Sequence, residues 1–158
     1  MFKKTLVIIL LAFLALIVFY YFLFNENVPT DYQMADEIVG SNKQIIYINK
    51  IAITIEIADE PNEQSRGLSG RDSLEENGGM LFVFPESEKY SFWMKEMRFS
   101  LDLIWIDENK IITDITKNVS PDTFPATFSP SSPVKYVLEV NAGWSDRHNI
   151  KVGNIVSF

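Results

Sequence analysis

The sequence predicts a mainly β domain, a β-rich α+β fold behind an N-terminal transmembrane helix. Its sheet is expected to be compact, largely antiparallel and curled, a small barrel or sandwich with one or two short helices. Three observations carry that prediction. Short runs rich in Ile, Val, Phe and Tyr recur at close spacing between turn residues. Two pairs of runs flank hairpin signals, Asn49-Lys50 and Asp107-Glu-Asn-Lys110. Thr5 to Phe24 holds no charge, Gly or Pro, and twenty helical residues span about 30 Å, the thickness of a bilayer core.

The apolar segment sets the organisation: residues 1–4 a cytoplasmic tip, 5–24 a transmembrane anchor, 25–43 a linker, 44–158 an extracytoplasmic domain. Fifteen of the residues from Leu6 to Phe24 are Leu, Ile, Val or Phe, which favours insertion by about 5 to 9 kcal/mol as an upper bound. Lys3 and Lys4 precede the span and Asn25-Glu26-Asn27 follows it, so the positive-inside rule puts the body outside. Tyr20, Tyr21 and Phe22 suit the interface at the exit end. The alternative is secretion after cleavage of a signal peptide. A signal core is shorter and ends in a small-x-small site; Phe22-Leu-Phe-Asn-Glu-Asn27 offers none. The segment reads as a signal-anchor, with the lipid bilayer as its partner.

Composition excludes several function classes. Net charge is −7, and because Lys3 and Lys4 contribute +2, residues 25–158 carry −9. Such a domain suits neither nucleic acid nor anionic head groups. With no cysteine, disulfides, thiol catalysis and cysteine zinc sites are out. No motif calls for a cofactor.

Along the domain, Ile45–Ile48 and Ile51–Ile57 form the first hairpin, with Ile51, Ile53, Ile55 and Ile57 on one face. Asp59 is the expected cap of a short helix that has Pro61 in its first turn and Gly67 past its end. Met80–Phe84 reads as a strand buried on both faces and ended by Pro85. Ser91–Lys95 is a further strand, and Leu101–Ile106 with Ile111–Thr116 makes the second hairpin. Asn118–Pro133, with four prolines, reads as a long loop, a class that is usually functional or mobile. Tyr136–Val140 and Asn154–Phe158 supply the last strands, with a helical turn near Trp144–His148.

Candidate chemistry centres on two carboxylates in apolar strands. Both faces of Leu101–Ile106 are apolar, so Asp102 needs a partner; Lys95, Arg66 and Arg71 are the candidates. Glu139 poses the same problem. As catalytic candidates Asp102 and Glu139 form an acid–base pair tuned by those cations; the plainer reading is an ion-pair network pinning strand ends. His148 is the lone histidine and no Gly-x-Ser-x-Gly elbow exists, which leaves a hydrolytic triad without support. The same shortage excludes a histidine-rich metal site. Asp107, Glu108 and Asp114 do not follow an EF-hand pattern, so no metal site is expected. Trp93, Trp105 and Trp144, with Tyr90, Phe92 and Phe99, offer a platform for a sugar or peptidoglycan strand. Trp93 and Trp105 are expected in the core and Trp144 against a ligand. Arg66-Gly-Leu-Ser-Gly-Arg71 places two guanidinium forks at a helix end, where they can hold an anion. The expected ligand-binding set is therefore Arg66, Arg71, Lys95 and Trp144.

Five segments, in order, give the chain a family likeness: Arg66-Gly-Leu-Ser-Gly-Arg71, Gly79-Met-Leu-Phe-Val-Phe84, Phe92-Trp-Met-Lys95, Leu101-Asp-Leu-Ile-Trp-Ile-Asp107 and Tyr136-Val-Leu-Glu-Val-Asn-Ala-Gly143. Over residues 45 to 158 the chain resembles the family called domain of unknown function 192 (DUF192). The resemblance implies a small β-rich exported domain with no established activity. The family commonly has Asn-Thr after the Phe-Trp-Met-Lys segment, where this chain has Glu96-Met97, and Gly-Asp where it has Gly153-Asn154. Two main function classes follow: binding of an unknown envelope ligand or protein through the 118–133 loop and the arginine–lysine cluster, or hydrolysis of a cell-wall polysaccharide by Asp102 and Glu139. A structural or assembly factor is the third.

Overall fold

The computed structural model describes residues 43–158. The predicted tip, anchor and all of the linker but Lys43 lie outside the described residues. Among the described residues, no helix is long and apolar enough to cross a membrane.

Strand β1 (Lys43–Ile48) and β2 (Ile51–Ala58) form the expected hairpin. Asn49 and Lys50 both take positive φ, 50° and 69°, the backbone of a two-residue turn whose twist matches its strands. Ile53 and Ile55 are buried, while Ala52 is exposed and Thr54 and Glu56 are half-buried, as the alternation predicts. Helix α1 (Pro61–Arg66) follows, capped by Glu60 rather than by the expected Asp59. The Glu63 carboxylate turns back to accept from the Glu60 amide at 3.3 Å, a contact that needs an acid three residues after the cap. This crossover lets β3 (Gly78–Glu88) run parallel to β2, the one parallel pair in the sheet.

β3 does not stop at Pro85. It continues to Glu88 through a register shift between Val83 and Glu88, an irregularity that accommodates a residue with no N–H to donate. The two-residue strands β4 (Phe92–Trp93) and β7 (Thr127–Phe128) pair as a separate ribbon. β5 (Leu101–Ile106) and β6 (Ile112–Val119) form the second hairpin, its turn held by Asp107 Oδ1, which accepts from Asn109 N at 2.9 Å and Ile111 N at 2.8 Å. The 118–133 segment contains a 3-10 turn (Pro121–Thr123) and β7, so it is more ordered than its prolines suggested. β8 (Val134–Asn141), helix α2 (Trp144–Arg147) and β9 (Val156–Ser157) complete the chain.

Seven strands form one sheet in the order β6-β5-β8-β3-β2-β1-β9. It curls as a half-barrel until the ends of its edge strands meet. Ile112 N donates to Asn154 O at 2.9 Å, Gly153 N to Ile112 O at 2.8 Å and Val156 N to Lys110 O at 2.9 Å. These bonds use backbone groups that open edges would leave unpaired. The concave face holds Ile46, Ile53, Ile55, Leu81, Ile104, Leu138, Val140 and Trp144, with Ile112 and Val156 from the two edges. The other face buries Leu68, Met80, Phe82, Met94, Leu103, Trp105 and Val137, partly under Tyr90, Phe92 and Phe128.

Candidate functional site

The antiparallel register of β5 and β8 decides where the two buried carboxylates go. Asp102 lies opposite Val140, and Glu139 opposite Leu103. Directly paired residues share a face and successive residues alternate. Asp102 therefore joins Val140 on the concave side, and Glu139 joins Leu103 on the other. The two acids do not share a cleft.

Asp102 is 0 % exposed, and neither Lys95, Arg66 nor Arg71 is its partner. Its Oδ1 accepts from Asn118 N at 2.9 Å and Gly143 N at 3.1 Å, and Oδ2 from Ser145 N at 3.0 Å. Three backbone donors satisfy the buried carboxyl without any cation. The carboxylate ties the end of β6 to the start of α2, where helical amides otherwise lack acceptors. This is the anchoring role of the plainer sequence reading, achieved by amides instead of ion pairs.

Glu139 is 5 % exposed, and its Oε2 is buried with no hydrogen-bond partner among the described residues. Burial pushes its carboxyl up to about 8, so it is largely a neutral acid at pH 7. It borders a cavity of about 160 Å³, walled by Phe82, Phe84, Tyr90, Phe92 and Trp93, with Gln64–Ser69 along one side. Phe84 and Tyr90 stack with centroids 3.6 Å apart. Phe92 stands edge-on to Phe82 at 4.8 Å and to Trp105 at 5.5 Å, the preferred aromatic geometry. Several polar side chains around the wall also bond within the protein. Gln64 Nε2 donates to Val83 O at 2.9 Å, Ser69 Oγ to Lys95 O at 2.9 Å, and the Ser91 and Ser129 hydroxyls lie 2.9 Å apart.

Local sequence explains how the wall is held. Gly67 takes φ +50°, and a Cβ there would meet the Phe82 ring at 3.2 Å, so the chain after α1 passes close over the cavity only without a side chain. Gly79 allows a similar approach: a Cβ there would lie 2.9 Å from Glu139 O. Gly70 N donates to Glu96 O at 2.9 Å, which, with the Ser69–Lys95 bond, fastens the Arg66–Arg71 segment to the turn after β4.

The predicted ligand-binding residues divide. Arg66 is exposed and borders the cavity. The Lys95 ammonium lies 5.9 Å over the centroid of Trp93. Arg71 is elsewhere, bonded bidentately to Glu56 at 2.6 and 2.7 Å. That hydrogen bond holds the Glu56 carboxyl below the usual range and raises the Arg71 guanidinium. Trp144 does not border the cavity. It is 0 % exposed on the concave side, donating Nε1–H to Asn77 Oδ1 at 3.1 Å. Trp93, expected in the core, is 52 % exposed at the cavity rim, with Phe124 edge-on at 6.1 Å. Through Phe124, the 118–133 segment does reach the site. Sequence reasoning named Tyr90, Phe92 and Trp93 for an aromatic platform but missed Phe82, Phe84 and the cavity they enclose; the signal was the density of aromatics between residues 82 and 93. Among the described residues no cluster of three or more His, Asp or Glu side chains could hold a metal ion.

The sequence profile of DUF192, described as "Uncharacterized ACR", matches residues 44–158. The chain belongs to the DUF192 family. A solved structure from Sinorhizobium meliloti 1021, described as a "putative transcription regulator", is 30% identical, covers 73% of this chain and 92% of its own, and superposes with a TM-score of 0.69. One from Novosphingobium aromaticivorans DSM 12444, a protein of unknown function, is 26% identical over 73% of this chain and 85% of its own, with a TM-score of 0.68. Among curated proteins none matches. The five segments behind the resemblance have distinct tasks in this DUF192 domain: the first four supply cavity wall and anchoring acid, and the last supplies Glu139 and the chain into α2.

Proposed function

We propose that this DUF192 domain is a membrane-anchored, extracytoplasmic binding module whose ligand enters the aromatic cavity beneath Trp93. The observation that carries the reading is Glu139: an unpartnered, buried carboxyl bordering a cavity among five aromatic side chains. A buried polar group without a partner is a persistent cost to the fold, and a ligand that satisfies it recovers that cost on binding. A cavity of about 150 Å³ can hold a benzene-sized group, so the ligand inserts one ring-sized or similarly compact head. The anchor and its orientation rest on residues 1–24 and the charge asymmetry around them. The hydrolase reading has less support, because Asp102 and Glu139 face opposite sides of the sheet. The regulator description belongs to the Sinorhizobium relative; residues 25–158 here carry −9, which disfavours binding to nucleic acid.

The test is ligand-observed NMR on the full chain in maltoside micelles, with compact probes such as benzyl alcohol and tetramethylammonium. Binding that is lost in Trp93→Ala and kept in Arg71→Ala is expected. Binding untouched by Trp93→Ala, or no binding by any compact probe, would refute the assignment. Protease accessibility of residues 43–158 in spheroplasts tests the orientation; protection in intact spheroplasts contradicts it.

A further inference from the structure

Resting on that binding reading, we propose that the cavity recognises a methylated or quaternary ammonium head, with Glu139 as its counter-ion. Three features of the site converge on this chemistry. First, the one carboxyl bordering the cavity has an oxygen with no partner, and among the described residues no lysine or arginine pairs with it. A buried carboxylate calls for a cation, and here the cation must come from outside.

Second, the walls include the rings of Phe82, Phe84, Tyr90, Phe92 and Trp93. Ring faces attract cations within about 6 Å of the centroid, most strongly when water is excluded. Trp93 already presents its face this way to Lys95 at the rim. Third, a primary ammonium is best held by three acceptors, whereas the side chains enclosing the space beside Glu139 include the rings of Phe82, Phe84, Tyr90 and Phe92. A head whose N–H groups are replaced by methyls needs no such acceptors. The acidic domain also raises the local concentration of cations.

The titratable groups bordering the cavity are Arg66 from α1, Tyr90 from the β3–β4 connection and Glu139 from β8; Lys95 lies beyond Trp93. Tyr90 donates its hydroxyl to Glu86 O at 2.8 Å, and burial, with Glu88 and Glu86, pushes that phenol up. Arg66 is exposed. Glu139 is thus the group that changes charge between pH 6 and 8. Binding a cation below pH 8 expels its proton to solvent, so affinity should rise with pH.

The experiment compares choline with its uncharged isostere 3,3-dimethylbutan-1-ol by titration calorimetry of the full chain in maltoside micelles. Choline affinity is expected to rise by up to about tenfold per pH unit between pH 6 and 8, to level off above, and to release one proton. Glu139→Gln, which keeps the shape of the wall, should lower choline affinity at pH 8 by at least about tenfold and abolish the proton release; Trp93→Ala at the exposed rim should weaken it as well. Isostere binding equal to or tighter than choline, with affinity falling as pH rises, would overturn the ammonium assignment and leave the binding module intact. Failure of choline and isostere while benzyl alcohol binds would do the same. Failure of all three would overturn both.

Discussion

Asp102 and Glu139 sit one register step apart on neighbouring strands, and their side chains leave the sheet on opposite faces. One acid is satisfied in the core by accepting from three amides. The other has a buried oxygen without a donor beside an aromatic cavity. The same residue chemistry thus serves two ends, anchoring on the concave face and recognition on the other.

Removing the Asp102 acceptors should damage the fold rather than the site. Asp102→Ala leaves three backbone N–H groups without their acceptor and is expected to destabilise by about 3 kcal/mol or more. Asp102→Asn keeps one oxygen but turns an amide N–H against a donor, and should lose about 2 kcal/mol. Urea denaturation followed by Trp fluorescence measures both. In Asp102→Asn that remains folded, binding at the cavity should be unchanged.

Stability should fall as pH rises from about 5 to about 8. Folded Glu139 holds its proton up to about 8 against an ordinary value of 4.5, so over that window the native state binds more protons than the unfolded chain. Its contribution is full below 4.5 and is lost as pH approaches 8, levelling off above. Between pH 5.5 and 8.5 the loss is about 3 kcal/mol. Glu56 works in the opposite sense: its lowered carboxyl contributes stability that is lost as pH falls below the ordinary carboxylate range. Urea midpoints across this range should peak near pH 5, and Glu139→Gln should flatten the alkaline limb.

The Arg71–Glu56 pair should stabilise the domain without touching ligand binding. Each side chain is about one-third exposed, at 32%, so solvent screening limits the coupling to about 1 kcal/mol in a double-mutant cycle. Arg71→Lys loses the fork geometry and should lose most of that coupling. A large drop in cavity affinity in Arg71→Lys would return Arg71 to the site from which its position removes it.

Much of the sheet was legible because strand signals are local. Ile51–Ile57 alternates, Asn49-Lys50 suits a two-residue turn, and Leu101–Ile106 is apolar on both faces. What the sequence hid was pairing. Asp102 looked in need of a cation because backbone amides carry no residue identity to search for. Glu139 looked like its companion because nothing local says that β8 meets β5 one step out of phase. Trp93 and Trp144 exchanged their expected places for a similar reason. Trp93 sits on the expected strand, which is only two residues long and pairs outside the main sheet, and Trp144 opens a helix turned into the concave face. The parallel β2–β3 pair was also hidden, since six helical residues gave little sign of a crossover.

Glu96 occupies a left-handed backbone position, φ 56°. A long side chain there is strained, and Asn or Gly tolerates it better. Glu96→Asn or Glu96→Gly is expected to raise stability by about 0.5 to 1 kcal/mol, read as a higher thermal midpoint. No gain would mean that the turn beside Trp93 is held by other contacts.

The most direct measurement is the pH titration of the Glu139 side-chain carboxyl by ¹³C NMR in the full chain, without ligand. A midpoint near 8 is the expected result, that of an unpartnered acid buried beside the cavity. A midpoint in the ordinary range of about 4 to 5 would mean that Glu139 is solvated or partnered, and would contradict its place at the centre of the site.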